Sequence, residues 1–369
     1  MRIESVEVRV VAPPVERFRW SDDLPEQYQT NTLIRIKTDE GVEGIGSVWN
    51  ATSHGFECYT AESLRHLIPV LLGRDPLQRD QLNWKLRPRV FPLPPGALAL
   101  IDIALWDLQG KVSGLPIFEL LGGARDKIQA YASTPMLKDV DAYLEFVEEL
   151  LGQGFRAIKF HTWCIAEEDL KLAREVRKRY PDVDFMLDAE NNYDRHNALR
   201  VAQELDDLQF RWLEAPLHDS DWPGYRELCA AVCMPVIPSG NWIQDLTSFQ
   251  ETMRTGCWRA TRTDVTILGG ITPARNAMLL AEEEGMNCEL MSWGYSLGSV
   301  ANLHVMLASH NCSYYEQPLP YAPYEHGMQT VIRTDEDGYV NAPNGPGLGL
   351  EVDWPTMLTD TIHVIESKL

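Results

Sequence analysis

Five side chains that can bind a metal ion or move a proton recur along this sequence at nearly equal intervals. They are His161, Asp188, Glu214, Asn241 and Asp264, and the intervals between them are 27, 26, 27 and 23 residues. Each interval is about the length of one β-strand followed by one α-helix, so these residues would return to the same end of a repeated βα fold. One buried acid alone could be structural, but several in phase indicate a site.

Three of these residues could bind a divalent cation. Asp188, Glu214 and Asn241 offer oxygen donors from three successive repeats. Mg²⁺ takes oxygen ligands in octahedral geometry and usually keeps places for water or substrate. No cluster of His or Cys suggests zinc instead. The sequence therefore predicts a Mg²⁺ site that could stabilise negative charge developing on a bound carboxylate.

The elements that must position these residues are eight short apolar runs separated by helix-sized connections. We predict strands at 128–133, 157–161, 184–188, 210–214, 236–241, 260–264, 287–292 and 313–317. We predict amphipathic helices at 140–151, 168–179, 198–205 and 273–284. Such βα units close into a barrel or form an open doubly wound sheet. Because the sequence has no dinucleotide-binding fingerprint, we favour the barrel.

The first part of the chain has a different pattern. Residues 2–11, 30–38 and 42–48 alternate between apolar and polar side chains, and a turn at 39–41 predicts a hairpin. An apolar stripe over 97–112 predicts a helix. A small α+β unit should therefore precede the barrel.

Composition excludes several classes of partner. The chain has 369 residues and a net charge of −21, which argues against nucleic acid. Its seven cysteines are scattered and are expected to be reduced thiols. The sequence shows no signal peptide and no apolar run of about 18 residues, so we expect a cytoplasmic protein without a membrane partner.

Five motifs, in order along nearly the whole chain, resemble those of the mandelate racemase branch of the enolase superfamily. They are ALWDLQGKVSGLP at 104–116, LDAEN at 187–191, WLEAP at 212–216, DVTILGGIT at 264–272 and PGLG at 346–349. Together these motifs are highly specific. The resemblance implies an α/β fold, a (β/α)7β modified TIM barrel with an N-terminal α+β capping domain.

The resemblance also implies a domain division and a chemistry. The capping domain would span residues 1–125, completed by 327–369, and the catalytic barrel would span 126–326. The chain would bind Mg²⁺ and a small carboxylate substrate, and it would remove the proton next to that carboxylate. A homo-oligomer is implied as well, although no sequence feature selects its size.

Several site residues follow from the resemblance position by position. Asp188 and Glu214 match two metal ligands, and Asn241 stands where the family usually has a Glu as the third. Lys159 matches the residue that contacts the substrate carboxylate. Glu316 matches an acid on the eighth strand that hydrogen-bonds the substrate.

Two departures from the family pattern affect the bases. His161 replaces the Lys that acts as the base on one face, and a His is a competent base near neutral pH. On the opposite face the family often uses a His oriented by an Asp. Asp264 matches that Asp, but Trp293 stands where the His would be, and Trp cannot accept a proton. Asp264 could then be catalytic or structural.

Substrate specificity would lie in an early lid segment and a following loop. Arg19 and Trp20 resemble lid residues that contact the far end of the substrate, where Arg19 could pair with a distal carboxylate. His54 could bind a hydroxyl. A solvated loop is an equal alternative for each of these residues.

The reaction predicted from a base on one face is β-elimination. We expect a lyase, an acid-sugar dehydratase that forms a 2-keto-3-deoxy acid, with His161 as base and Lys159 as carboxylate partner. Racemisation or epimerisation of a carboxylic acid or amino-acid derivative is the first alternative. A non-catalytic relic that only binds metal or acid is the second.

Overall fold

The strands and helices of the computed structural model lie within residues 1–14, 28–50, 53–91 and 93–369, the part of the chain that the structure describes. The strands are β1 (Ile3–Val11), β2 (Asn31–Thr38), β3 (Glu43–Val48), β4 (Lys127–Ser133), β5 (Ala157–His161), β6 (Asp184–Asp188), β7 (Trp212–Glu214), β8 (Val236–Ile237), β9 (Ala260–Thr263), β10 (Asn287–Leu290), β11 (Tyr315–Pro318), β12 (Tyr339–Asn341) and β13 (Thr361–Lys368). The helices are α1 (His54–Ser63), α2 (Ile68–Leu71), α3 (Arg79–Leu86), α4 (Pro95–Ser113), α5 (Ile117–Leu120), α6 (Val140–Gly152), α7 (Ala166–Arg179), α8 (Arg195–Asp207), α9 (Trp222–Ala231), α10 (Leu246–Arg254), α11 (Val265–Leu268), α12 (Ile271–Glu283), α13 (Ser296–Leu307), α14 (Ala322–Glu325) and α15 (Trp354–Thr359), with 3-10 turns at Leu64–His66 and Arg87–Arg89.

The first three strands form an antiparallel sheet with the last one, in the order β13-β1-β2-β3. Alternate residues of β1 are buried, as its apolar and polar pattern predicts. Helix α4 packs so closely on β3 that a Cβ on Gly44 would lie 2.0 Å from the carbonyl oxygen of Ala104. Only glycine fits there. Because β13 pairs with β1, the C-terminal strand completes this N-terminal sheet.

Helix α4 joins this sheet to the barrel through a buried carboxylate. Asp107 accepts hydrogen bonds from the backbone N–H of Ile45 and of Leu348, both at 2.8 Å, and from Lys111 at 2.7 Å. Trp106 on the same helix donates to the Thr272 hydroxyl at 2.9 Å. The motifs at 104–116 and 346–349 are thus in direct contact. The predicted domain boundaries at 125 and 326 remain a proposal.

The central strands run parallel and surround the site. Strands β4 to β8 are neighbours in sequence order with β11 on the outer side of β4, and β9 pairs with β10. The hydroxyl of Ser292, which follows β10, contacts both the N–H and the carbonyl of Glu316 in β11, at 3.0 and 2.9 Å. This contact joins β10 to β11, and β8 lies beside β9, so the strands surround a common interior. The predicted α/β class, a barrel with an N-terminal cap, is confirmed.

The register of the parallel strands places the predicted site residues side by side. His161 is paired with Asp188 across β5 and β6, and Asp188 is paired with Glu214 across β6 and β7. All three residues end their strands. The polar residues that recur in sequence therefore meet at the carboxyl ends of adjacent strands.

A buried histidine in α13 should make stability depend on pH. The His304 Nδ1 accepts from the Phe118 N–H, and its Nε2–H donates to the Leu348 carbonyl, both at 3.2 Å, so the neutral ring is satisfied. Burial lowers the pKa of His304 to about 4, below its ordinary value of 6.5. The neutral ring therefore stabilises the fold fully above pH 6.5, and this contribution falls as pH drops from 6.5 to 4, by about 3 kcal/mol.

Urea unfolding at pH 7.5 and at pH 4.5 measures this effect. The wild-type protein should lose about 2 to 3 kcal/mol more unfolding free energy between the two pH values than the His304→Gln variant, whose side chain does not titrate. Equal losses in the two proteins would show that His304 does not cause the pH dependence of stability.

In the described part of the chain no helix combines the length and apolar character needed to cross a membrane.

Candidate active site

The interior of the barrel has an apolar lower level and a polar upper level. The lower level is a cluster of Tyr131, Ala157, Met186, Trp212, Ile237, Ala260 and Tyr314. Because side chains on a strand alternate between its faces, the residue two positions later also faces the barrel interior. Those later positions include Ser133, Lys159, Asp188, Glu214, Arg262 and Glu316. The alternation that places the apolar cluster in the lower level therefore also places six polar side chains in the level above it.

A cavity of about 220 Å³ opens over this polar level. It is lined by Trp49, Asn50, Lys159, His161, Asp188, Glu190, Glu214, Ser239, Asn241, Arg262, Asp264, Thr266, Ile267, Met291, Trp293 and Glu316. All eight residues predicted for the barrel site line this cavity: the seven predicted as metal-binding or catalytic, and Trp293.

Lys159 lies at the centre of the polar level among three carboxylates. Its Nζ is 3.1 Å from Asp188 and from Glu214, and 2.9 Å from Glu316. Burial on its own lowers the pKa of Lys159, but the carboxylates of Glu214 and Glu316 outweigh it and raise that pKa well above its ordinary value. The protonated Lys159 ammonium can therefore hold a carboxylate or an oxyanion in the cavity.

Sequence reasoning missed a second buried cation, Arg262. Its Nε lies 2.9 Å from Glu214 and its Nη2 lies 2.9 Å from Glu316, so it bridges the two acids below the cavity. It also donates to the Tyr131 hydroxyl at 3.3 Å. The sequence spacing could have placed Arg262 in the barrel interior, because Arg262 stands two residues before Asp264 on a predicted strand and must share its face.

The ring of His161 is held in a defined orientation. Its Nδ1 lies 2.7 Å from the Thr134 carbonyl and must donate to it, which leaves Nε2 facing the cavity. That Nε2 is 3.3 Å from Asp188 and 3.4 Å from Glu190, and Trp293 packs edge-on against the ring at 5.3 Å. Burial on its own lowers the pKa of His161, but the bonds to Asp188 and Glu190 raise it to about 10.

Glu190, which sequence reasoning did not single out, brings a further carboxylate to the cavity. Its backbone N–H donates to Asp188 at 3.0 Å, and its φ of 48° is in the left-handed region. Asn191 is also left-handed, with φ of 62°, and its N–H donates to the Ala215 carbonyl at 2.7 Å. This unusual turn directs the chain back over the barrel mouth and holds Glu190 beside His161.

The donor set fits a divalent cation. Four carboxylates stand close together against the two cations Lys159 and Arg262. These carboxylates are Asp188, Glu190, Glu214 and Glu316. Burial raises the pKa of Glu214 to about 8, with the Asp188 charge acting in the same direction, so the cluster is short of positive charge. A divalent cation would supply positive charge to this cluster, and carboxylate oxygens are the ligands that Mg²⁺ takes.

Two groups of residues could hold such an ion. Asp188 and Glu214 are the predicted pair, with buried carboxylates that share the Lys159 ammonium. Alternatively, the ligand atoms of His161, Asp188 and Glu190 lie within 4.8 Å of one another. Asp188 belongs to both groups.

The predicted third ligand, Asn241, follows a tightly held turn. Asp219 is buried and accepts from the Ser239 N–H at 2.7 Å, the Ser239 hydroxyl at 2.9 Å and the Gly240 N–H at 3.1 Å. Gly240 has φ of 79°, and a Cβ there would lie 2.7 Å from the Arg262 carbonyl oxygen. This turn ends β8 at Ile237, short of the predicted 241, and leaves Asn241 at the cavity with an exposed side chain.

Asp264 and Trp293 occupy the side of the cavity where a second base was sought. Asp264 caps helix α11 by accepting from the Ile267 N–H at 2.6 Å, and burial raises its pKa to about 6. Trp293 packs between His161 and Tyr324, whose ring centroid is 5.5 Å away. The structure thus gives Asp264 a structural contact and leaves its predicted catalytic role as a prediction.

The predicted substrate-contacting residues outside the barrel are only partly described. Arg19 and Trp20 lie outside the residues that the structure describes. His54 is described, but it is not among the residues that line the cavity. Its Nδ1 lies 2.5 Å from the Thr30 hydroxyl, and its ring packs edge-on against Tyr28 at 4.5 Å. Its proposed contact with a substrate hydroxyl stays a prediction.

Two protein-family models match most of the chain. Residues 5–122 match the N-terminal domain of mandelate racemase and muconate lactonizing enzyme. Residues 142–356 match the enolase C-terminal domain-like family.

Solved structures and relatives agree with these matches. A Pseudovibrio sp. protein, provisionally assigned as a mandelate racemase/muconate lactonizing enzyme, is 37% identical, with a TM-score of 0.96 over 100% of this chain and 99% of its own. D-glucarate dehydratase from Agrobacterium tumefaciens, complexed with magnesium, is 30% identical, with a TM-score of 0.84 over 98% and 100%. N-succinylamino acid racemase from Thermus thermophilus is 26% identical over 96% of each chain.

Proposed function

The chain belongs to the mandelate racemase/muconate lactonizing enzyme branch of the enolase superfamily, and we propose that it dehydrates a sugar acid to a 2-keto-3-deoxy acid with Mg²⁺. Membership supports the coarser statement, a metal-dependent enzyme that acts on a small carboxylic acid. The finer statement rests on one observation. His161 presents Nε2 to the cavity while Trp293 packs against it, where a second histidine base would otherwise stand.

Asp188, Glu214 and Asn241 would hold the ion. When bound, Mg²⁺ would attract the substrate carboxylate and stabilise the negative charge that this group gains as the α-proton leaves. Lys159, fixed by Asp188 and Glu214, would donate to a carboxylate oxygen and stabilise the same charge. Arg262 would hold Glu214 and Glu316 in place beneath it.

His161 would then move the proton. With the charge of Asp188 compensated, the bond that raises the pKa of His161 weakens, and Nε2 can accept the proton from C2 of the substrate. The C2–H electrons form the C2–C3 double bond as the C3–O bond breaks, and His161 returns its proton to the leaving hydroxide as water. The enol so formed takes a proton at C3 and loses the proton of its C2 hydroxyl, which gives the 2-keto-3-deoxy acid. The ring can serve both steps if H and OH leave from the same face.

A panel of aldonic and aldaric acids, assayed with and without Mg²⁺, tests this proposal. We expect one or a few acids to give a 2-keto-3-deoxy acid, detected as its semicarbazone, with activity lost in EDTA and restored by Mg²⁺. Binding of acids with no turnover of any of them would contradict the proposal and favour a non-catalytic relic.

Racemisation or epimerisation is the second candidate. It is supported by the N-succinylamino acid racemase relative and by Asp264, a carboxyl group that lines the cavity and could return a proton. Recovered substrate of inverted configuration that carries solvent deuterium at C2 would favour it over dehydration.

A further inference from the structure

We propose that Glu190 makes this site selective for monocarboxylic sugar acids, whose far end is a neutral hydroxylated chain, over the corresponding dicarboxylic acids. This inference rests on the proposed function in that the substrate is a sugar acid. It concerns which end groups the cavity accepts and is independent of whether the reaction is an elimination. It follows from the charges that line the cavity and from how they are already paired.

The cavity is lined by more acids than bases. Its carboxylates are Asp188, Glu190, Glu214, Asp264 and Glu316, and its lysine and arginine side chains are Lys159 and Arg262. When one divalent ion and one substrate carboxylate are added, the net charge of the cavity is still negative or close to neutral. A second substrate carboxylate would enter a cavity that already has no surplus of positive charge, where like charges are costly.

Neither cation is available for a second carboxylate. Lys159 is surrounded by Asp188, Glu214 and Glu316 at 2.9 to 3.1 Å. Arg262 is about 1% exposed and binds Glu214 and Glu316 from below. Among the described residues that line the cavity, no other Lys or Arg could pair with the distal end of a diacid.

Glu190 is the carboxylate best placed to meet the substrate chain. Its side chain is 25% exposed, whereas those of Asp188, Glu214 and Glu316 are at most 6% exposed. Its Oε1 lies 3.4 Å from the Nε2 of His161, the atom that would take the α-proton, so a sugar acid bound with C2 at this nitrogen would extend its hydroxylated chain close to Glu190. A carboxylate there accepts hydrogen bonds from hydroxyl groups and repels another carboxylate.

The left-handed turn fixes the position of Glu190 at the cavity. The backbone at Glu190 and Asn191 is held by hydrogen bonds to Asp188 and to the Ala215 carbonyl. Such strain in a non-glycine residue is typical of sites where a side chain must be aimed.

Matched substrate pairs provide the test. D-gluconate and D-glucarate, or D-galactonate and galactarate, differ only in whether C6 is a hydroxymethyl group or a carboxylate. We expect the Mg²⁺-loaded wild-type enzyme to favour the monoacid of the pair it accepts, with kcat/KM at least about 10-fold higher. In Glu190→Gln that preference should fall at least about 10-fold, mainly through KM, because the repulsion is removed. Glu168→Gln, which removes an exposed carboxylate outside the cavity, should leave the preference unchanged.

Two results would overturn the inference. One is a wild-type preference for the diacids, which is the outcome expected if Arg19 pairs with a distal carboxylate. The other is a Glu190→Gln preference equal to that of Glu168→Gln.

Calorimetric binding to the Mg²⁺-loaded protein separates this inference from the proposed function. If no acid is turned over but monoacids bind more tightly than diacids, and Glu190→Gln removes the difference, dehydration fails and the selectivity of Glu190 stands. If dehydration is observed but monoacids and diacids bind equally well, the proposed dehydration stands and the selectivity of Glu190 fails. Absence of binding by any aldonate overturns the inference as well.

Discussion

Replacing His161 by asparagine is expected to slow turnover roughly 10³-fold, the usual contribution of a positioned general base. The asparagine amide can still donate to the Thr134 carbonyl as His161 does, but it has no nitrogen that accepts a proton. The measurement is kcat for keto-acid formation, together with the rate at which the α-proton of the substrate exchanges with deuterated solvent. Both rates should fall together, because both require removal of the same proton.

The matched control is His310→Asn, the same change at an exposed histidine outside the cavity. It should retain wild-type rates. Exchange of the α-proton at the wild-type rate in His161→Asn would show that His161 is not the base.

Replacing Asp188 by asparagine is expected to weaken Mg²⁺ binding by about 100-fold or more, because it removes one of the charged oxygen donors that hold the ion. Activity at a fixed, low Mg²⁺ concentration should fall at least in proportion. Glu214→Gln should weaken Mg²⁺ binding comparably. Mg²⁺ titration by calorimetry gives the affinities, and circular dichroism confirms that each variant is folded.

Glu190→Gln distinguishes the two possible ligand groups. If Asp188, Glu214 and Asn241 hold the ion, Glu190→Gln should change the Mg²⁺ affinity much less than Glu214→Gln. The opposite order would assign the ion to His161, Asp188 and Glu190. The control is Asp182→Asn at an exposed carboxylate, and an affinity for Mg²⁺ in Asp188→Asn equal to that of this control would contradict both assignments.

The sequence predicted the barrel because its signals are local and repeat. The strands at 157–161 and 184–188 were predicted with their observed bounds, since each is a short apolar run flanked by helical patterns. The common interval between polar residues then located the site at the carboxyl ends of the strands. The register places His161, Asp188 and Glu214 side by side at those ends, and their roles stay a prediction.

Pairing between side chains was harder to predict because it depends on contacts between distant repeats. Arg262 was missed although it faces the same interior as Asp264, because a lone arginine in a strand does not reveal that it bridges Glu214 and Glu316. Glu190 was missed because its position depends on a left-handed turn, which the sequence around it does not specify. The strand predicted to reach residue 241 ends at Ile237, because Asp219 organises the following turn.

The most direct test of the proposed reaction is turnover of an accepted sugar acid in deuterated water with Mg²⁺, followed by NMR and mass spectrometry of all species. Dehydration initiated by proton removal predicts a 2-keto-3-deoxy acid that has lost one water and carries a single solvent deuterium at C3, with no product when Mg²⁺ is removed. A product pool of unchanged mass apart from deuterium at C2, with inverted configuration, would contradict dehydration and assign the enzyme to racemisation or epimerisation.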